Sequence, residues 1–166
     1  MNKIQIMIDN ITESIGNFLS YVLFLMVILI VTSILFRSIF NIGNIAIQEL
    51  IMYLHALLFM FGISYAYKED SHVKIDILSN NISPKNSQIL SIIGFIFFVM
   101  PFAIFLIYIS TDMTMRSWSI LEGSSEAGGL NLVFVLKTII PLTGILILLQ
   151  GISKLLKNIE SLKNEC

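Results

Sequence analysis

Apolar residues run along this chain in four long blocks separated by polar punctuation. The first covers about 18–40 and has FLSYVLFLMVILIVTSILF (Phe18 to Phe36) at its heart. The second covers about 46–67. The third covers about 88–111, around SIIGFIFFVMPFAIFLIYIS, and the fourth about 131–153, around FVLKTIIPLTGILILLQGI. Each block supplies the ~20 mainly apolar residues a helix needs to cross a bilayer. Inside lipid every backbone polar group must be satisfied internally, so such runs fold as helices. The pattern predicts an all-α membrane protein, one domain over residues 1–166 with four transmembrane helices.

The flanks have a different period. Ile4, Met7, Ile8, Ile11 and Ile15 share one face of a helical wheel, with Lys3, Asp9 and Glu13 elsewhere. Ile152, Leu155, Leu156, Ile159 and Leu162 form a second stripe beside Lys154, Lys157 and Lys163. Both patterns predict amphipathic interfacial helices at the ends. Pro101 and Pro141 fall inside the third and fourth blocks, where membrane helices tolerate proline, and are read as packing kinks.

Composition agrees. Hydrophobic residues make up 56% of the 166 and charged residues 13%, against about 25% charged in soluble domains. Lipid is the expected surrounding. A net charge of −1 leaves no basic footprint for nucleic acid. The lone cysteine, Cys166, makes neither an internal disulfide nor a cysteine-based metal site. The first block is too long for a signal-peptide core and is followed by Arg37 rather than a small-x-small cleavage site, so it reads as a retained span.

Charge placement sets an orientation. Lys3, then Lys68, Lys74 and Lys85, then Lys154, Lys157 and Lys163 all fall on one side of a four-span chain. Arg37 and Arg116 fall opposite, and Lys137 lies within the fourth span. The positive-inside rule predicts both termini and the loop YKEDSHVKID (Tyr67 to Asp76) in the cytoplasm. The rest of that loop, SNNISPKNS, is turn-like. The opposite loop, Asp112 to Leu130, mixes acidic groups, paired glycines and Trp118, a candidate anchor at the headgroup level.

Candidate chemistry is sparse. His55 sits inside the second span, where an ionisable group raises a functional question. No other span offers a histidine as second haem ligand, so an interhelical hydrogen bond is favoured over haem or metal. Glu49, with Tyr53 one turn on, is read as a proton or cation ligand or as an acid favouring a helix N-terminus. Lys137 either snorkels or pairs with a neighbouring carboxylate. Glu122 and Glu126 have one-turn spacing but flanking glycines, which favours a solvated loop. No phosphate-cradling loop, nucleophile elbow or HExxH occurs, so no enzyme, cofactor or metal site is expected. No clear row of polar residues lines a span, and no pair of interrupted, repeat-related helices marks a transport site.

Two stretches carry a resemblance. QELIMYLHALLFMFGISYAYKEDSHVKIDIL (Gln48 to Leu78) is similar to the second span and following loop of the small, DctQ-like permease subunit of tripartite ATP-independent periplasmic (TRAP) transporters. The matching positions are Glu49, Gly62, Lys68, His72, Val73 and Asp76. RSWSILEGSSEAGGLNLVFVLKTIIPLTGILILLQGI resembles the mannitol/chloroaromatic-type subgroup through Ser117, Trp118, Glu122, Gly123, Ser124, Gly128, Gly129, Leu130, Lys137 and Pro141. Asn131 departs, since proline commonly stands there.

The resemblance implies a division of labour. A large permease subunit carries substrate and sodium sites, and a periplasmic substrate-binding protein delivers an organic acid. The small subunit is a non-catalytic scaffold in the bacterial inner membrane. His72 and Asp76 are then expected to hold the cytoplasmic turn. The competing readings are a self-assembling channel or small transporter and a redox subunit using His55.

Overall fold

The structure, a computed structural model, describes residues 3–69 and 84–164. All regular structure among them is helical. Helix α1 spans Lys3–Phe40 and α2 spans Ile45–Lys68. Helix α3, Pro84–Gly94, runs through a π-helical turn, Phe95–Val99, into α4, Met100–Ser119. Helix α5 spans Val133–Asn164. Among the described residues, four helical stretches are long and apolar enough to cross a membrane: Lys3–Phe40, Ile45–Lys68, Lys85–Ser119 and Val133–Lys163. The loop residues His72 and Asp76 lie outside the described residues.

Helix α5 is the hub, packing against α1 and α2 and against α3, the π turn and α4. Its inward stripe is Ile139, Thr143, Gly144, Ile147, Gln150, Gly151 and Ser153, all buried. Small and hydroxyl-bearing residues let helices approach closely where lipid gives no hydrophobic drive for association. A Cβ on Gly144 would stand 2.7 Å from Ile107 Cγ1 and 3.0 Å from the Ala103 carbonyl. A Cβ on Gly151 would overlap the Phe95 ring, and one on Gly16 the Tyr65 ring. The same test leaves open space at Gly43, Gly62 and Gly94, so of the glycines suited to close packing only some are used within the chain.

The polarity of the bundle is inverted relative to a soluble protein. Gln5, Thr12, Ser64, Ser110, Thr143 and Gln150 are buried, while Phe24 is 69% and Phe105 56% exposed. A hydrocarbon solvent explains both, since polar groups find partners only inside.

The amphipathic ends are helical, but they are continuous with α1 and α5 rather than separate helices. At the start of α1 the polar Gln5 and Thr12 turn inward together with Ile8, whereas Ile4, Met7 and Ile11 of the apolar stripe are exposed. The reason is the facing helix. Thr12 Oγ1 donates to Gln150 Oε1 at 2.7 Å, and Asp9 Oδ1 accepts from Gln150 Nε2 at 3.0 Å and from Ser153 Oγ at 2.9 Å.

Both prolines are absorbed. Met100 N–H reaches back to the Phe95 carbonyl, closing the π turn just before Pro101. Pro141 lies within α5 and cannot donate to the carbonyl of Lys137 four residues earlier. Thr114 Oγ1 of α4 donates to that carbonyl instead, at 3.2 Å.

Candidate functional site

The chemistry-bearing residues gather at the two ends of the bundle. At one end, Asn44 caps α2 by accepting from Ile47 N–H at 3.2 Å. One turn inside, Glu49 projects toward the segment between α4 and α5. Its Oε1 accepts from Ser124 Oγ, and its Oε2 accepts from Leu130 N–H at 2.6 Å. The carboxylate spans the neck of a loop that also closes on itself. Ser124 N–H donates to the Leu130 carbonyl at 3.0 Å, Gly129 N–H to the Glu126 carbonyl at 3.0 Å, and Glu126 N–H to Ser124 Oγ at 3.1 Å.

The paired glycines have distinct duties. Gly128 has φ +83, a left-handed conformation that costs glycine little. Gly129 is a close approach: a Cβ there would collide with Ser124 and stand 2.8 Å from Glu49 Oε1. Leu121 also has a positive φ, 46, where the chain turns out of α4.

Beside this loop Lys137 Nζ pairs with Glu122 Oε2. The Lys137 ammonium holds the Glu122 carboxyl below its ordinary value of 4.5, with Ser117 adding to the shift. Glu122 N–H also donates to the Ser117 carbonyl at 3.0 Å. Trp118 Nε1 donates to Thr138 Oγ1 at 2.8 Å, and its ring meets Phe134 edge-on with centroids 4.6 Å apart. Glu49, Trp118, Glu122, Gly128, Gly129 and Lys137 therefore form one assembly that locks α2, α4 and α5 through the loop.

This corrects the expectation that Glu122 is merely solvated. The Glu122 carboxylate is an ion-pair partner, and Lys137 takes the pairing option rather than snorkelling. Glu49 is not in the first turn of α2, so a loop tether replaces the helix-terminus reading. Among the described residues no group of three His, Cys, Asp or Glu side chains converges.

At the opposite end, Lys68 pairs with Glu13 of α1, and with Glu69 at 3.5 Å. Lys154 Nζ donates to the Tyr67 carbonyl at 3.1 Å and lies over the Tyr67 ring, 4.6 Å from its centroid. Asp9, Lys68, Gln150, Ser153, Lys154 and Lys157 line a polar cleft of about 360 Å³. The polar row not visible along any one span thus forms between α1 and α5. Asp9 and Thr12, at three-residue spacing, were its available signal. A Cβ on Gly62 would meet nothing within 4 Å, and His55 is exposed on α2.

These features define a multi-pass helical membrane protein, several of whose ionisable groups brace its own helix ends. A family model described as "Tripartite ATP-independent periplasmic transporters, DctQ component" matches residues 26–161. The chain belongs to that family and is a small membrane subunit of a TRAP transporter. No curated protein and no solved structure matches it with significant similarity.

Proposed function

We propose that this chain is the non-catalytic scaffold of its transporter. It holds a large permease component in place during sodium-coupled uptake of an organic acid, which a periplasmic substrate-binding protein delivers. The observation that carries this reading is the engagement of the polar groups. Glu49, Glu122 and Lys137 are spent on the 120–132 loop, and Asp9 and Gln150 on each other. Such internal bracing makes a rigid body, which a moving transport element needs as its counterpart. The large permease and the binding protein are its partners, and membrane lipids its surroundings.

The lysine distribution supports an inner-membrane orientation with the Lys68 and Lys154 end in the cytoplasm. On that reading His72 and Asp76 hold the cytoplasmic turn. Intact assembly and uptake in His72→Ala would remove that role. The likeness to the mannitol/chloroaromatic-type subgroup rests on residues from Ser117 to Pro141, at the end of α4, in the loop and at the start of α5.

Reconstitution tests the whole. Proteoliposomes carrying this chain, a large TRAP permease component that co-purifies with it and the binding protein should take up substrate under a sodium gradient. Vesicles with this chain alone should not. Uptake by the chain alone would replace the scaffold with a self-sufficient channel or transporter.

A further inference from the structure

Gln48, Met52, His55, Phe59 and Gly62 recur along α2 at spacings of four, three, four and three residues, which places them on one stripe of the helix. Apart from Gly62, which is half-buried, all are exposed, with Met52 at 52% and Phe59 at 62%. The stripe points away from Tyr53 and Ser64, the residues α2 buries. It combines an amide, an imidazole near mid-span and a glycine beside which nothing stands within 4 Å.

Other outward faces differ. On α1, Ser14 and Ser20 donate to the carbonyls of Asn10 and Gly16. On α4, Thr111 donates to the Ile107 carbonyl. These hydroxyls satisfy themselves, and the faces around Phe18, Phe24 and Phe105 otherwise present the exposed tyrosines Tyr21 and Tyr108 rather than an imidazole or an amide. Neither the His55 ring nor the Gln48 amide has a hydrogen-bond partner among the described residues. His55 lies about 15 Å along the axis from Ile45 and about 20 Å from Lys68 at 1.5 Å per residue. Its short side chain cannot reach either headgroup region. Hydrocarbon offers no hydrogen-bond partner, so the missing partner belongs to another protein.

We propose that this α2 stripe is the docking surface for a transmembrane helix of the large permease component. The partner helix crosses close at Gly62 and presents a hydrogen-bonding side chain or freed backbone carbonyl to His55. Small residues permit close backbone approach, and polar groups fix the depth and register of the crossing. The inference rests on the scaffold reading, and it names the face that reading leaves open. The identity of the occupant follows from membership of a multi-component transporter together with the polar stripe.

Photocrosslinking tests it. A benzoyl-phenylalanine is placed at Met52 or Phe59, and for comparison at Phe24 of α1 or Phe105 of α4. Each chain is produced with its neighbouring genes and irradiated in membranes. Adducts with the large multi-span component are expected from positions 52 and 59, at least tenfold above positions 24 and 105. Gly62→Leu and His55→Leu should lower co-purification of that component at least tenfold while the chain alone inserts and melts as the wild type does. If wild-type chain co-purifies with the large component but adducts arise only from 24 or 105, the surface assignment falls and the scaffold reading stands. Adducts between two copies of this chain from 52 and 59 overturn the assignment in favour of a homodimer face. If the wild-type chain brings no large component, both fall.

Discussion

Glu49 and Leu130 stand 81 residues apart in sequence, yet the Glu49 carboxylate accepts the Leu130 N–H at 2.6 Å. Ser124 occupies the other carboxylate oxygen. One side chain from α2 therefore closes the loop that joins α4 to α5. Hydrogen bonds to a charged group contribute about 1.5–3 kcal/mol each. Glu49→Ala should lower the melting temperature of the detergent-extracted chain and speed amide exchange at Leu130. Unchanged exchange at Leu130 would mean the tether contributes nothing.

Gly129 and Gly128 should respond differently to alanine. Gly129→Ala drives a methyl group into Ser124 and toward Glu49 Oε1, which breaks the tether itself. Gly128→Ala meets open space but must hold φ +83, a strain of about 1–2 kcal/mol. Melting curves should rank Gly129→Ala as the more damaging. A reversed ranking would place the constraint in the backbone rather than in the close approach.

The Glu122–Lys137 pair gives a pH signature. Its folded-state value is depressed below 4.5, so the folded chain binds that proton less readily than the unfolded chain. The stabilisation is fully present above 4.5 and is lost as pH falls through the folded-state value. Lowering the pH from 7 toward 5 should leave this contribution intact, and going below 4.5 should remove it. Glu122→Gln should flatten that acid limb of a melting-temperature profile. An identical limb in the variant would assign the acid sensitivity to other carboxylates.

Hydropathy made the four spans legible because lipid imposes one strong constraint on long segments, and charge counting paired their ends. Partnerships were not legible. Nothing near Glu49 in sequence marks Ser124 and Leu130 as its donors, and flanking glycines made Glu122 look solvated. Those glycines are instead what lets the loop fold back. The inward polar face at Gln5, Asp9 and Thr12 was hidden because the more conspicuous apolar residues there, Ile4, Met7 and Ile11, face outward. In lipid, the eye should follow the polar side of such a helix, since that side needs a protein partner.

The relation of Pro141 to Thr114 gives a last test. Proline removes the N–H that would satisfy the Lys137 carbonyl, and Thr114 supplies the replacement from the neighbouring helix at 3.2 Å. Thr114→Val in the native background should leave that carbonyl without its donor. In a Pro141→Ala background the alanine N–H restores the intrahelical bond, so the same substitution should cost much less. A double-mutant cycle on unfolding free energies should therefore show coupling of about 0.6 kcal/mol, the average for interhelical hydrogen bonds in membranes, and at most about 1.7 kcal/mol. Strict additivity would mean that Thr114 contributes by packing alone. Coupling would show that α4 satisfies the carbonyl Pro141 leaves open in α5, so that one proline ties two helices of the bundle together.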